Sequence, residues 1–400
     1  MPEYIHPGVY VDEIASSPPP MEQATTATAG FVGPTERAGD GGIDLTGVPT
    51  LVTGIGEAER LFGKSGPTAA DGSRLFATPE AVRQFFENGG GRCVIVSTGG
   101  FTTDDGEIRT PRVGEFRRGI RALRDAPEAA FFAVPDAALM RRAAAWARIA
   151  RYALNFARDN LMFAIIDVHR GDRPAGGVDD PIDGPDGLRA LLDGDARGWG
   201  AAYWPWLAQV DGSAPVPPCG AVAGVYARTD VGRGVWKAPA NVVLAGVAGL
   251  TADVTPEAQR DLNAPDKAVN AIRAFTGRGI RVWGARTLAN GEYRYVSVRR
   301  LMLMIERSLS DGLRFVAFQP NTPGSWGMVE ASAGAFLDRL WRMGAIPGAR
   351  PADAFYIRCG LGETMSQADL DAGRLIVEVG VAVVKPAEFV VLRIRRPTGR

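Results

Sequence analysis

Histidine and cysteine are scarce in this 400-residue chain, which has only His6 and His169, and Cys93, Cys219 and Cys359. The cysteines are odd in number, far apart and set in apolar surroundings. They do not make a disulfide framework and read as reduced, buried residues of a protein made in a cytosol. With so few histidines and such scattered cysteines, no zinc-binding spacing exists. Net charge is missing too: 45 Lys and Arg balance 45 Asp and Glu. That argues against a general polyanion binder but leaves room for a local basic patch. No apolar run approaches the ~20 residues a membrane-spanning helix needs. The opening MPEYIHPG has neither the basic segment nor the apolar core of a secretory signal. What is present is 46% hydrophobic residues, a globular proportion, in a length that calls for two or three domains.

Motifs for catalysis are equally thin. Gly63-Lys64-Ser65 resembles the end of a phosphate-binding loop, but the glycine needed five positions earlier is Ala58. The residues before it also read as helix. His169 is the one histidine placed for chemistry, at the end of an expected strand, where open α/β sheets put functional groups. No Ser or Cys stands in a nucleophile-elbow pattern. Ser332 comes nearest, in Glu330-Ala331-Ser332-Ala333-Gly334, with Glu at the first glycine site and helical surroundings. Asp179, Asp180 and Asp183 lie in a Gly/Pro-rich loop without EF-hand spacing. The patterns therefore predict no catalytic residue, no cofactor and no metal.

The first half of the chain alternates two periods. Thr25–Gly33, Arg92–Ser97, Ala130–Val134, Leu161–Val168 and Ala201–Leu207 are expected strands. Gly56–Phe62, Thr78–Phe86, Val113–Asp125 and Pro135–Phe156 are expected helices, with Thr78 and Pro79 suited to open the second. Strand–helix–strand repetition predicts a mostly parallel sheet with helices on both faces. Leu301–Phe318 and Ser325–Met343 then read as amphipathic helices. Phe355–Cys359 reads as a strand and Ser366–Ala372 as a short helix. The segment from Gly284 onward is thus expected to form a second, α+β unit.

Both ends are strand-like. In Arg374–Val384, Leu375, Val377, Val379, Val381 and Val383 share one face, and Ile376, Glu378 and Gly380 lie on the other. After Pro386, which lacks an N–H and marks a break, Phe389 and Val391 alternate with Val390, Leu392 and Ile394. At the other end Tyr4-Ile5 and Val9-Tyr10-Val11 precede a polyproline-type stalk, Ser16–Pro20. Terminal strands either pair in their own sheet, which composition alone favours, or offer an edge to another chain. The stretch Lys267–Arg314 sets Lys267, Arg294, Arg299, Arg300, Arg307, Arg314 and further arginines against only Glu292, Glu306 and Asp311. An acidic protein partner fits this asymmetry. Nucleic acid, with Trp283, Tyr293 and Tyr295 to stack on bases, and a plain solvated face are the rival readings.

Several stretches resemble the tail sheath protein family of contractile phages and contractile injection systems. Tyr4–Glu13 resembles the family's opening. Gly224-Val225-Tyr226-Ala227-Arg228-Thr229-Asp230 with Gly234–Asn241 is similar to its internal motif. Val282–Leu288, Tyr295–Leu301, Phe336-Leu337, Leu340-Trp341, Gly344-Ala345 and Lys385–Val390 are similar to its C-terminal domain. The resemblance implies an N-terminal arm over residues 1–22 and an outer α/β domain over 23–283, subtilisin-like but without protease residues. It further implies an α+β inner sheath domain over 284–387 and an arm strand over 388–400. Tyr4, Ile5, Val9, Tyr10 and Val11 would then insert beside strands of neighbouring subunits, as would Phe389, Val390, Val391, Leu392 and Ile394. Ile376, Val377, Val379, Val381 and Val383 would line the acceptor strands. Arg294, Arg299, Arg300, Arg307 and Arg314 are the candidates for a tube-facing surface. The implied function is structural: hexameric rings stack helically around an inner tail tube and contract to drive it through an envelope. Baseplate and tail terminator proteins would be the other partners, with neither nucleic acid nor membrane insertion. Assembly would take place in the bacterial host cytoplasm. From the residues alone, the alternative is an α/β enzyme, a hydrolase or nucleotide-binding protein, with an added domain.

Overall fold

Five short runs, Ala29–Gly33 (β1), Cys93–Ser97, Phe131–Ala133, Phe163–Asp167 and Gly200–Trp204, are buried at every residue. Strands apolar on both faces need cover on both faces, which is the environment of a parallel sheet. The computed structural model describes residues 20–386 apart from 178 and 265. It divides the chain into two compact units, one built on Ala24–Arg307 and the other on Ser308–Val383 with the residues up to Gln23. The division falls inside a helix, beyond the boundary expected at Gly284.

In the larger unit the other strands of the main sheet, in chain order, are β2 (Thr50–Val52), β3 (Cys93–Ser97), β4 (Phe131–Ala133), β5 (Phe163–Asp167), β6 (Gly200–Trp204), β7 (Val242–Val243), β8 (Val269–Phe275) and β9 (Gly279–Val282). They form one nine-stranded sheet in the order β7-β9-β8-β6-β5-β4-β1-β3-β2. The strands from β8 to β3 are parallel, with Phe31 opposite both Ile95 and Ala133, and Ala202 opposite both Ile166 and Val269. The outer strands β2, β9 and β7 pair antiparallel. Helices α1 (Ile55–Phe62) and α2 (Thr78–Glu87) cover one face, and α3 (Val113–Ala122) and α4 (Ala143–Asp159) cover the other. α5 (Cys219–Arg233) joins α1 and α2. On the α3–α4 side, Phe116, Ile120, Trp146 and Leu154 pack on Val32, Val96, Phe132 and Ile166. Opposite them, Phe62, Phe85, Val222 and Tyr226 pack on Phe31, Ile95, Phe131 and Tyr203.

α5 is buried almost all round, and glycine permits this. A Cβ at Gly220 would collide with the Ala81 backbone, and one at Gly224 with the Phe85 carbonyl and Asn88. The α2 and α5 backbones therefore meet with nothing between them. The helix expected over Pro135–Phe156 is instead broken. Pro135–Leu139 is a 3₁₀ turn, Met140 is extended, and α4 starts at Ala143. The break has a cause: Asp136 and the Met140 carbonyl are both committed to partners outside the helix. The strand expected through Leu207 likewise stops at Trp204. Leu207–Gln209 pairs separately with Val247–Leu250.

The smaller unit holds the end of α6 (Val296–Gly312), α7 (Pro323–Arg342), β10 (Phe355–Arg358), α8 (Gln367–Asp371) and β11 (Glu378–Val381). α8 is closed by a capping box. Ser366 Oγ accepts from the Asp369 N–H, and the Asp369 carboxylate accepts from the Ser366 N–H and hydroxyl. These bonds, with Arg374, hold Asp369 down at about 2. β10 and β11 form a two-stranded antiparallel ladder, with Phe355 opposite Val381 and Ile357 opposite Val379. Beside it Val329, Cys359 and Met365 form a small core, against which Leu313, Val316, Leu375 and Val377 pack half-buried.

Candidate assembly surfaces

In a doubly wound sheet, ligands enter at the carboxyl ends of the strands where the strand order reverses. Here the reversal lies between β1 and β4, and protein fills it. Asp136, just past β4, accepts from the Ala77 N–H (2.8 Å), the Thr78 N–H (3.0 Å) and the Thr78 hydroxyl (2.5 Å). It thereby satisfies the free N–H groups that open α2. A Cβ on Gly33, at the end of β1, would collide with Thr78 Oγ1. At the end of β5, Asp167 accepts from the Cys219 N–H at 2.9 Å, the first residue of α5. Burial raises Asp136 to about 6 and Asp167 to about 7, against the hydrogen bonds that lower both. The two carboxylates that could face a substrate are spent on helix N-termini instead. The thiols of Cys93 and Cys219 are buried and pushed up by desolvation, so neither is a nucleophile.

His169 is buried, with Nε2 2.7 Å from the Met140 carbonyl. Desolvation lowers its pKa, against the Met140 hydrogen bond that raises it. It borders a cavity of about 360 Å³ lined by Arg141, Arg142, Arg170, Arg173, Asp180 and Asp186 among others. Among the described residues no Ser, Thr or Cys lines this cavity, so none there offers a nucleophile for His169 to activate. Gly63-Lys64-Ser65 follows α1 instead of preceding a helix, and the Lys64 N–H is taken by Glu36 at 3.0 Å.

Tyr4, Ile5, Val9, Tyr10 and Val11 lie outside the described residues, as do Phe389, Val390, Val391, Leu392 and Ile394. Of the acceptor positions, Val379 and Val381 fall in β11, Ile376 and Val377 just before it, and Val383 just after. The ladder extends one step further, the Ala382 N–H donating to the Ala354 carbonyl at 2.8 Å. Among the described residues neither β10 nor β11 has a strand on its other side. Two strands alone are marginal in water.

The root of the N-terminal segment is tightly held. In the larger unit the Thr25 hydroxyl donates to the Glu128 carbonyl (3.0 Å), and the Thr26 carbonyl accepts from Arg300 Nη2 (2.9 Å). Arg300 also makes a bidentate pair with Asp230 at 3.0 and 2.6 Å, both side chains nearly inaccessible (3% and 1%). Its guanidinium lies 4.8 Å over the Phe131 ring and 4.6 Å over that of Tyr226. Burial raises the Asp230 pKa, and Arg300 opposes that shift. In the smaller unit Met21 packs on Gly312, and its carbonyl accepts from Arg339 at 2.7 Å.

Arg299 and Arg300 therefore depart from their expected place on an exposed surface. Arg299 is sandwiched between Trp199 (4.1 Å) and Tyr293 (3.5 Å), with Nε donating to the Gly198 carbonyl at 3.1 Å. Both sit on the buried stripe of α6, where aromatic faces and backbone oxygens receive them. Arg307 is half-buried and donates to the Ala129 and Pro127 carbonyls. Arg294 is half-buried against Tyr295. Arg314 is exposed and pairs with Asp311 at 2.7 Å. The sequence marks Asp230 only as the last residue of the internal motif, and Asp136 and Asp167 not at all. The available signal was two adjacent arginines interrupting the apolar run Val296–Ile305, since cations on a buried stripe require a partner.

Family models match two consecutive stretches that together take in half of the chain. The phage tail sheath protein central domain matches residues 196–288, and the phage tail sheath C-terminal domain matches 289–396. The structure is similar to the helical sheath of the anti-feeding prophage in its contracted state, with 30% identity and a TM-score of 0.74. That match covers 97% of this chain and 98% of the other. It is similar to the contracted PVC sheath complex of an extracellular contractile injection system, with 28% identity and a TM-score of 0.73, covering 100% and 99%. The tail sheath protein of Vibrio phage KVP40 is 24% identical over 183 residues, which are 44% of this chain but only 26% of that relative's length.

Proposed function

This chain belongs to the phage tail sheath family, and on that premise we infer that it is a structural subunit of a contractile sheath, not an enzyme. It is a component of a phage tail or injection-system particle and assembles with copies of itself. The observation that supports the reading best is the two-stranded β10–β11 ladder, neither outer edge of which is paired among the described residues, in a chain whose two terminal stretches are strand-like in sequence. Strand addition satisfies such edges with backbone hydrogen bonds, asks little of side-chain identity and contributes about 0.5–1.5 kcal/mol per bond. In this proposal the arms at residues 1–22 and 388–400 complete the β10–β11 sheet of neighbouring subunits. Non-closing head-to-tail contacts then build a helix of stacked hexameric rings. The segment from 284 to 387 faces an inner tail tube, with Arg314 and the half-buried Arg294 and Arg307 nearest it. The likeness of the larger unit to the subtilisin-type topology belongs to the same reading, supported by its parallel strands and two helical layers. Baseplate and terminator proteins as end partners, and assembly in the host cytoplasm before contraction, complete it. Contraction requires two packings of the same bodies, the second lower in free energy, so the work is stored at assembly and no nucleotide site is needed.

Deleting Met1–Ser17 is the direct test. The truncated protein should fold with the wild-type melting temperature yet form no striated tubes in negative stain. Tubes from the truncated chain would remove the N-terminal arm from the mechanism.

A further inference from the structure

The solvent side of α3 and α4 carries more positive charge than the fold can use. Arg117, Arg118 and Arg121 are exposed on α3, and Arg148 and Arg151 on α4. The helices are neighbours, since the Arg117 guanidinium lies 4.7 Å over the Tyr152 ring. Arg117 and Arg121 are four residues apart, and Arg148 and Arg151 three, the spacings at which like charges repel along a helix. Among the described residues none of the five makes an ion pair. Of the nearby acids, Glu115 is taken by Arg109 and Asp159 by Arg158, each at 2.9 Å, and the exposed Asp125, four residues past Arg121, pairs with none of the five among the described residues. Arg151 lies near enough to Asp193 to lower its pKa slightly, but Asp193 is paired with Lys267.

A chain with no net charge carries the matching negative charge elsewhere on itself. The hairpin between β3 and α3 presents Asp104, Asp105 and Glu107 at its tip, all exposed and none paired with a cation among the described residues. Its turn is well fixed. Thr102 bridges Ile108, the Thr103 N–H donates to the Glu107 carbonyl (2.8 Å), and the Gly106 N–H donates to the Thr103 carbonyl (2.9 Å). The chain thus shows an acidic knob and a basic face of opposite sign that, among the described residues, do not pair within one molecule.

We propose that the Asp104–Glu107 hairpin of one copy docks on the α3–α4 arginine face of another copy in the sheath. The contact rests on the sheath reading above and is separate from strand exchange. Exposed pairs are individually weak and salt-screened, so as a set they fix the register of copies and favour one packing over another.

The test uses the full chain. One variant carries Asp104→Lys, Asp105→Lys and Glu107→Lys; a second carries Arg118→Glu, Arg121→Glu and Arg148→Glu; a third carries all six. Tube yield at low salt should fall about tenfold in the first two and recover in the third. All melting temperatures should stay at the wild-type value, since the altered side chains are exposed. Wild-type yield from either triple variant, or a six-fold variant no better than its parents, overturns the contact. Loss of heparin binding with unchanged assembly also overturns it and gives the face to a polyanion. A wild-type chain that forms tubes under no condition overturns the sheath reading, and this contact with it.

Discussion

Asp167 illustrates how far one residue's surroundings can depart from its sequence context. Its carboxyl is raised to about 7 by burial, so between about pH 4 and 7 the folded chain holds a proton that the unfolded chain has released. Stability from this group is therefore complete below its unfolded value near 3.8 and is lost as the pH rises to about 7. Asp136, raised to about 6, acts in the same direction over a narrower window. Asp167→Asn keeps an oxygen to accept from the Cys219 N–H and removes the charge. Thermal melts should show the variant as stable as wild type at pH 4 and about 1–4 kcal/mol more stable at pH 8. A variant less stable at pH 8 would mean that the carboxylate is ionised in the fold and favoured there by the α5 dipole. None of this was legible from Asp167 at the end of an apolar run, because the N-terminus it caps lies 52 residues further on. Arg299 and Arg300 were misplaced for a related reason. Charge density along a sequence says nothing about which aromatic rings and carbonyls fold around each cation.

Among the elements, those buried on both faces were the most legible. β1, β3, β4 and β5 are short continuous apolar runs closed by breakers, a pattern that predicts a parallel interior. α4 was legible as a helix but not its start, because Pro135 suits a 3₁₀ turn as well as a helical first turn. α5 had no single apolar stripe to read, since it is covered on nearly every side. Its glycines are the clue in hindsight, and they carry a prediction. Gly224→Ala places a methyl against the Phe85 carbonyl and Asn88, which are backbone and helix end and cannot swing aside. The α2–α5 contact must open, at a cost of about 1–3 kcal/mol, readable as a lower urea midpoint. Gly232→Ala, where an added methyl meets nothing, should leave the midpoint unchanged or raise it. Equal effects at the two sites would show that helix propensity, not the close approach, governs this helix.

The whole molecule is unevenly finished. The larger unit has a nine-stranded sheet with helices on both faces, enough to stand alone. Among the described residues the smaller unit has only a two-stranded ladder, beside a core cluster of Val329, Cys359 and Met365 and the buried Phe336, Leu337 and Leu340 of α7, and two strands are fewer than an independent sheet requires. That imbalance could be anticipated from the alternating valines of the C-terminal run, but not the partner, since period two fixes a strand's faces and leaves its neighbour open. If copies supply the missing strands, a chain ending at Ala387 should keep the wild-type melting temperature of its larger unit and form no tubes. A synthetic peptide of residues 387–396 should rescue nothing in that chain, because the strand is needed in covalent linkage to a neighbouring body. Added in excess to the full chain, the same peptide should occupy acceptor edges and shorten the tubes, whereas a scrambled peptide should not. Tube lengths measured by negative stain separate the outcomes. Full-length tubes in the presence of the peptide, or a large drop in melting temperature in the shortened chain, would mean that the last strand serves the molecule it belongs to.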